Sequence, residues 1–548
     1  MKKALSYKVT FILFFLLNFV LSVCYNISNE KLALIPKRLI LAFVNSFGMS
    51  AVLLGILYVF HRYLKLNLRM ILLGILFMTV LVESYVLMKF NTLITPSVIL
   101  VILETNMQEV SEFFDTAYFD VYTCLTLLVI IIIAGFCLYF IHKFDSYRFP
   151  KLLNHSKLNM CLAMAGGVIY VFLSYYAIHM RKIISYPSLT GIERLYYSTK
   201  VTLHDRVDYQ KMINLVKKVQ PEIQQVHKGI PNIVLIVGES LSKAHMGCYG
   251  YSLPTTPKLN ERIMNGEIVA FDSVMTRKTI TVEALKVIMS FYNHTSEKPW
   301  YEYYMLPTIM QSAGYNTFWL SNQESFGVAD FNISAAIASS AEKVIYTHQR
   351  HTSEDKVGYF DEELLPLLDD CIGKDGKNFY VCHLMGSHWR YANRYPESFN
   401  KFKIEDIRNS WGKSIKKIIA EYDNSVLYND YVVNEIIKKF QQSESIIFYF
   451  PDHGEEVYDT QDMNGHRMEN PTLTMVEIPF LVWMSKAMKE NYPSLVYRIE
   501  RAASKRFYTE DMIHTVLDVG GVELPEYNAI RSLFYNEEKI NTENSICH

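Results

Sequence analysis

The sequence predicts two architectures in one chain: an N-terminal five-helix transmembrane bundle over residues 1–180, and a C-terminal α/β domain with a central, mostly parallel sheet over residues 229–548. A bridging helix and linker at 181–228 joins them. Three observations predict this arrangement. Apolar runs long enough to cross a bilayer crowd into the first third of the chain. Beyond residue 228, short β-branched and aromatic runs alternate with helix-patterned stretches. Several of those runs end on Asp, Glu or His, and the ligand sites of open α/β sheets gather at strand C-termini.

A chain of 548 residues is too long for one ordinary core. Half of it is apolar, and the mean hydropathy of +0.08 is high for a soluble enzyme of this size. The surplus lies in five runs, at 9–25, 38–60, 70–89, 121–142 and 159–178, each near the ~20 residues that span a hydrocarbon core. The first follows Met1-Lys2-Lys3 as a signal peptide would, but no small-residue cleavage site follows it and four more spans do, so it reads as a retained helix. Basic residues set the orientation. His61, Arg62, Lys65 and Arg69 mark one loop, and Lys143, Arg148, Lys151 and Lys157 another, on the side of the basic N-terminus. The loop at 90–120 has no Lys or Arg and falls outside, while Lys31, Lys37 and Arg38 run against the rule. Five crossings place everything after about residue 180 outside the cytoplasm. Within the outer loop, residues 97–114 pattern as an amphipathic helix. It either rests on the bilayer or presents Thr105 and Glu109, one turn apart, to a lipid headgroup, where a carboxylate suits an ammonium.

The net charge of −1 leaves no basic surplus for a nucleic-acid partner. The eight cysteines include no CxxC pair, which argues against a thiolate zinc site or a redox motif. Cys371 and Cys382 flank a short polar turn, and either pair as a disulfide or stay as buried thiols.

In the soluble part, NIVLIV ends in Gly238-Glu239-Ser240 and reads as a buried parallel strand with an acid at its end. NTFWLSNQ (316–323), NFYVCHLMGSH (378–388), SIIFYFPDHGE (445–455) and EIPFLVWMS (477–485) are further strand-like runs. Four segments carry candidate ligands: Glu239; the hydroxyl-rich TRKTITVEAL (276–285); Asp452-His453; and His388 with His466. Two acids, an imidazole and a hydroxyl make an oxygen-and-nitrogen site, which suits zinc or manganese. A lone His is more often structural than a ligand, but Gly454 permits a sharp turn that aims both Asp452 and His453 at one ion. Among Thr276, Thr279, Thr281 and Ser290, Thr281 stands where the extended approach meets the helix VEALKVIMSF, at the free N–H groups of the first turn. The plain alternative is that Thr281 only caps this helix. Thr279 shares its face in an extended segment and is the serious competitor.

The series GES, a helix-start Thr, HxxGSH, YDNSVLYND (422–430), DHGE and a following His resembles the phosphoethanolamine transferases, grouped with sulfatases and lipoteichoic acid synthases in the alkaline-phosphatase superfamily. The resemblance covers nearly the whole chain and implies an alkaline-phosphatase-like (sulfatase-like) domain behind five helices. It implies that Glu239, Thr281, Asp452 and His453 hold a catalytic Zn2+, with Mn2+ less favoured, and that Thr281 is the nucleophile. It matches His388 and His466 to histidines that bind the transferred phosphate or a second zinc, and Thr105 and Glu109 to headgroup contacts. TRKTITVEALKVIMSF, FWLSNQES and PDHGEEVYDT look most like the enzymes acting on the lipopolysaccharide core. Two departures stand out. Pro451 replaces the Ser that commonly precedes DHGE, and Arg277 and Val287 stand where the lipid A enzymes carry cysteines. The implied reaction moves phosphoethanolamine from phosphatidylethanolamine to lipopolysaccharide in two displacements through phospho-Thr281, by a monomer. A lipid A transferase and a phosphoglycerol transferase resembling lipoteichoic acid synthase are the alternatives. No CxPxR-type motif supplies the nucleophile of a true sulfatase.

Overall fold

The computed structural model describes residues 2–29, 35–64, 68–90, 92–104, 121–143, 170, 189–207, 209–218, 221–323, 333–347, 360–468 and 470–535. The chain forms two compact units, Met1–Val207 and Asp208–His548.

In the first unit, α1 (Lys2–Asn29), α2 (Ile35–Leu64), α3 (Arg69–Phe90) and α5 (Val121–Lys143) occupy the first four expected spans, with α4 (Pro96–Glu104) between the last two. Among the described residues, two stretches are long and apolar enough to cross a membrane, Arg38–Leu57 and Arg69–Phe90; Thr10–Asn26 and Thr123–Ile133 are shorter apolar helices. The expected fifth span at 159–178 lies outside the described residues apart from Tyr170, as do Thr105 and Glu109. Phe14, Leu53, Leu57, Leu73, Leu76 and Phe77 pack the inner faces. The outer faces are also apolar: Ile40, Phe43, Val44 and Phe47 on α2, and Leu128, Ile132 and Phe136 on α5, are exposed. A helix apolar on all sides is either the core helix of a large protein or a membrane span.

Two buried charges in this unit are paired with each other. Glu83 on α3 and Arg194 on α6 (Gly191–Val207) are each 1% exposed. Arg194 Nε donates to Glu83 Oε1 at 2.7 Å and Nη2 donates to Oε2 at 2.5 Å, while Nη1 donates to Ser22 Oγ on α1 at 3.2 Å. Such a fork satisfies both groups where neither can reach water. It ties α6 to α3 and α1.

The second unit begins with α7 (Tyr209–Lys218) and is built on an eight-stranded sheet. Its strands are β1 (Asn232–Gly238), β2 (Ile268–Met275), β3 (Tyr315–Ser321), β4 (Lys343–Tyr346), β5 (Lys377–His383), β6 (Ser445–Pro451), β7 (Glu477–Met484) and β8 (Phe507–Tyr508). Their order is β8-β2-β7-β6-β1-β5-β3-β4. The run from β6 to β4 is parallel as expected. β7 departs: it pairs antiparallel with both β2 and β6, so the sheet is mixed. The reason lies in the connection. After Pro451 the chain stays at that edge through a small hairpin, Glu456–Val457 with Asn464–Gly465, and the strand that leaves the edge must run back.

Register then gathers the site. Gly238 pairs with Pro451, and Val237 and Ser321 each pair with His383, so the residues after these strands emerge together. β1 and β6 are buried almost throughout, which fixes their ends rigidly. Cys371 and Cys382 are buried free thiols in one core cluster, so of the two readings the disulfide is not the one found. Burial pushes the Cys382 thiol up to about 12.

Candidate metal centre

Glu239 follows β1 directly, and Asp452 and His453 follow β6. One ligand atom from each lies within 4.8 Å of the others. His453 Nε2 is 3.3 Å from Glu239 Oε1 and 3.4 Å from Asp452 Oδ2. All three residues are at most 1% exposed. Glycines permit the approach. A Cβ on Gly454 would stand 2.1 Å from the Thr474 carbonyl oxygen, and one on Gly386, at φ +54°, would stand 2.7 Å from the Glu239 backbone.

Hydrogen bonding fixes what these atoms present. His453 Nδ1–H donates to the Gly454 carbonyl at 2.9 Å, which turns Nε2 towards the two carboxylates. His453 Nε2 and Asp452 Oδ2 are buried with no hydrogen-bond partner. Burial would raise the Glu239 carboxyl, but His453 close beside it, with the charges of His388 and His466, holds it well below the usual carboxylate range. Burial, then the Glu239 charge, pushes Asp452 up to about 8. Burial would lower His453, but Asp452 and Glu239 outweigh it and push it up to about 10. Left alone, the cluster retains protons that water would not give it. Orphaned buried oxygen and nitrogen atoms converging on one point are the donor set of a divalent cation, and the residues present fit zinc.

Thr281 is the first residue of α9 (Thr281–Ile288); Ile280 is the N-cap, without a side-chain cap. Thr281 Oγ1 lies 3.0 Å from each oxygen of Glu239. Its competitors face elsewhere. Thr279 Oγ1 donates to the Arg467 carbonyl at 2.6 Å, Thr276 Oγ1 to Lys278 at 2.7 Å and Ser290 Oγ to Lys286 at 2.6 Å.

The His466 ring packs against that of His453, with centroids 4.1 Å apart and planes tilted by 49°, and its Nδ1 is 2.8 Å from Glu455 Oε2. His453, Glu455 and His466 form a second candidate cation group. His388 follows the Met385–Gly386 turn, whose amides donate to Asp361 at 2.7 and 2.8 Å. Sequence reasoning missed Glu455, His383 and Gln323. Gln323 Nε2 lies 3.3 Å from Glu239 Oε2 and 3.2 Å from His383 Nε2. Burial holds His383 down to about 4, despite the Glu239 charge. The signals for His383 were its place at the end of the run NFYVCH and as the first histidine of HxxGSH, which was given no role.

A second buried charge cluster sits beside the site. His245 Nδ1 lies 2.6 Å from Asp423 and Nε2 lies 3.2 Å from Asp459. Burial works against the imidazolium, but Asp423 and then Asp459 outweigh it and push His245 up to about 10. With an unfolded value near 6.5, its stabilisation is full below about pH 6.5 and is lost as pH rises through about 10. The melting temperature of the purified chain is expected to fall between those pH values, and to fall less for His245→Gln; parallel curves for the two proteins would contradict this.

The sulfatase family model matches residues 231–522, more than half of the chain. The chain belongs to the sulfatase family. Phosphoethanolamine transferase EptC of Escherichia coli O18:K1:H7 is 31% identical over 308 residues, 55% of this chain and 52% of that protein. The chain spans about half the length of the curated relatives it matches. The C-terminal periplasmic domain of EcEptC from Escherichia coli, solved as a complex with Zn, superposes with a TM-score of 0.53 at 28% identity, over 58% of this chain and 91% of that one. The integral membrane protein lipooligosaccharide phosphoethanolamine transferase A (EptA) from Neisseria meningitidis shares the fold over 96% of this chain and 97% of its own, with a TM-score of 0.63 at 19% identity.

Proposed function

We propose that this sulfatase-family chain is a zinc-dependent phosphoethanolamine transferase of an inner membrane. On this reading residues 1–180 are the multi-pass anchor, 181–228 the bridge and 229–548 the periplasmic catalytic domain. The observation that carries it is Thr281 Oγ1, the one hydroxyl of its segment set against the Glu239–Asp452–His453 cluster. The EptC and CptA relatives supply the transferred group. Glu239, Thr281, Asp452 and His453 would hold the zinc. Bound there, zinc supplies Lewis-acid chemistry that lowers the proton affinity of a hydroxyl and draws charge from a phosphoryl oxygen.

The chain's own residues carry out two displacements. Thr281 Oγ releases its proton to solvent and attacks the phosphorus of phosphatidylethanolamine; the bond from phosphorus to the glycerol oxygen breaks, and diacylglycerol leaves with a proton from His388 or His466. An acceptor hydroxyl or phosphate oxygen of lipopolysaccharide then attacks the same phosphorus. The bond to Thr281 Oγ breaks and Thr281 is restored. His388 and His466 also hold the phosphoryl oxygens, and Thr105 and Glu109 receive the donor's ammonium headgroup. The acceptor is the lipopolysaccharide core, at a heptose or its phosphate, and the protein acts as a monomer.

Mass spectrometry of lipopolysaccharide from a deletion strain, with and without the restored gene, tests this. One phosphoethanolamine should return on a core fragment. Its return on lipid A would move the acceptor, a phosphoglycerol in its place would favour the lipoteichoic-acid-synthase-like alternative, and identical lipopolysaccharide in both strains would refute the reading.

A further inference from the structure

The motif YDNSVLYND has no part in the chemistry above, yet it lies on the buried face of the 28-residue helix α10 (Lys413–Phe440). A helix that buries Tyr422, Asp423, Asn424, Ser425, Asn429 and Asp430 is pressed to pair its polar groups, because an unpaired one is costly. Tyr422 does so on the turn that follows Glu239. Its hydroxyl donates to the Ser240 carbonyl at 2.8 Å and accepts from the Ser242 amide at 2.7 Å. Ser240 is held at φ +54°, a left-handed conformation that a serine rarely adopts. In that conformation the Ser240 amide reaches Asp452 Oδ1 at 3.3 Å and its hydroxyl reaches Glu239 Oε1 at 3.0 Å. The strained turn thus aims two of the proposed zinc ligands, and Tyr422 spans it.

The Tyr422 ring supports the other half of the site. It packs edge-on against Tyr391 at 4.8 Å. Tyr391 donates to Glu455 Oε1 at 2.7 Å, and Glu455 Oε2 holds His466. Three residues further along α10, Ser425 Oγ lies 2.9 Å from Ser387 Oγ, next to His388. The geometry points to Tyr422 as the positioning residue of the zinc site, its hydroxyl fixing the Ser240 turn so that Glu239 and Asp452 converge on the ion. The inference rests on the zinc reading above.

Tyr422→Phe keeps the ring and removes only the hydroxyl. In the full-length protein, zinc affinity measured by competition with a fluorescent chelator should weaken by about 10- to 100-fold, the usual effect of losing a group that orients metal ligands. Turnover should fall while KM for the donor lipid stays. Tyr380→Phe is the control: its hydroxyl, equally buried, donates to the Cys371 carbonyl at 3.2 Å, away from the site, and its zinc affinity should match wild type. Wild-type affinity in Tyr422→Phe, with the same loss of melting temperature as Tyr380→Phe, would overturn the inference and leave the zinc reading intact. No zinc affinity in the wild-type protein would end both. If Tyr422→Phe does not accumulate, hydrogen exchange on the wild-type chain decides. Linkage is reciprocal, so stripping zinc should speed exchange at the Ser242 amide, and unchanged exchange would count against the clamp.

Discussion

Thr281→Ala is expected to lower transfer by about 10⁴-fold or more, the scale on which loss of a covalent nucleophile acts, while zinc remains bound to Glu239, Asp452 and His453. Geometry makes the prediction sharp. Thr281 Oγ1 faces both Glu239 oxygens at 3.0 Å, and no carbonyl takes its proton in the way that Arg467 takes that of Thr279. Thr279→Ala should cost about 1–3 kcal/mol of stability at most, through the unpaired Arg467 carbonyl, and keep substantial activity. Peptide mass spectrometry of the enzyme stalled with donor and no acceptor should locate phosphoethanolamine on Thr281. An adduct on Thr279, or transfer by Thr281→Ala, would reassign the nucleophile.

The residues that announced themselves in the sequence are those whose neighbours constrain them strongly. NIVLIV and SIIFYF are buried on both faces, so their ends could be read, and Glu239, Asp452 and His453 stand at those ends. Thr281 was legible because a change of period, from extended to helical, marks its position. Residues that reach the site through long-range register were not legible. His383 enters because β5 pairs with β1, and Gln323 because β3 ends level with them; the HxxGSH motif contains His383 without saying which way it faces, and nothing local distinguishes Gln323. The direction of β7 was hidden for a related reason. EIPFLVWM is the same apolar run whichever way it lies, and only the path of 452–476 turns it round. The role of Tyr422 was hidden because a tyrosine on a helix reads as packing until its hydroxyl partners are known.

Asp452→Asn should remove most of the protein's stabilisation by zinc. Wild-type protein stripped of metal holds Asp452 beside Glu239 with Oδ2 unpaired. Burial and the Glu239 charge hold its folded pKa near 8, against about 3.9 unfolded. A raised acid pKa means that the folded state binds the extra proton, so this group's contribution to stability falls as pH rises from about 4 towards 8. Asparagine has the same shape and no proton to lose. Metal-free Asp452→Asn should therefore melt above metal-free wild type at pH 8, and the gap should close as pH falls towards 4. Zinc acts in the opposite sense. At about 1,000 times its Kd it should stabilise the wild-type chain by about 4 kcal/mol, because it satisfies the carboxylates and the His453 lone pair together. The variant, short of one anionic ligand, should gain little, so the two melting curves should cross on adding metal. Equal stabilisation of both proteins by zinc would show that the ion binds elsewhere. A variant less stable than wild type in the absence of metal would show that the buried carboxylates do not repel.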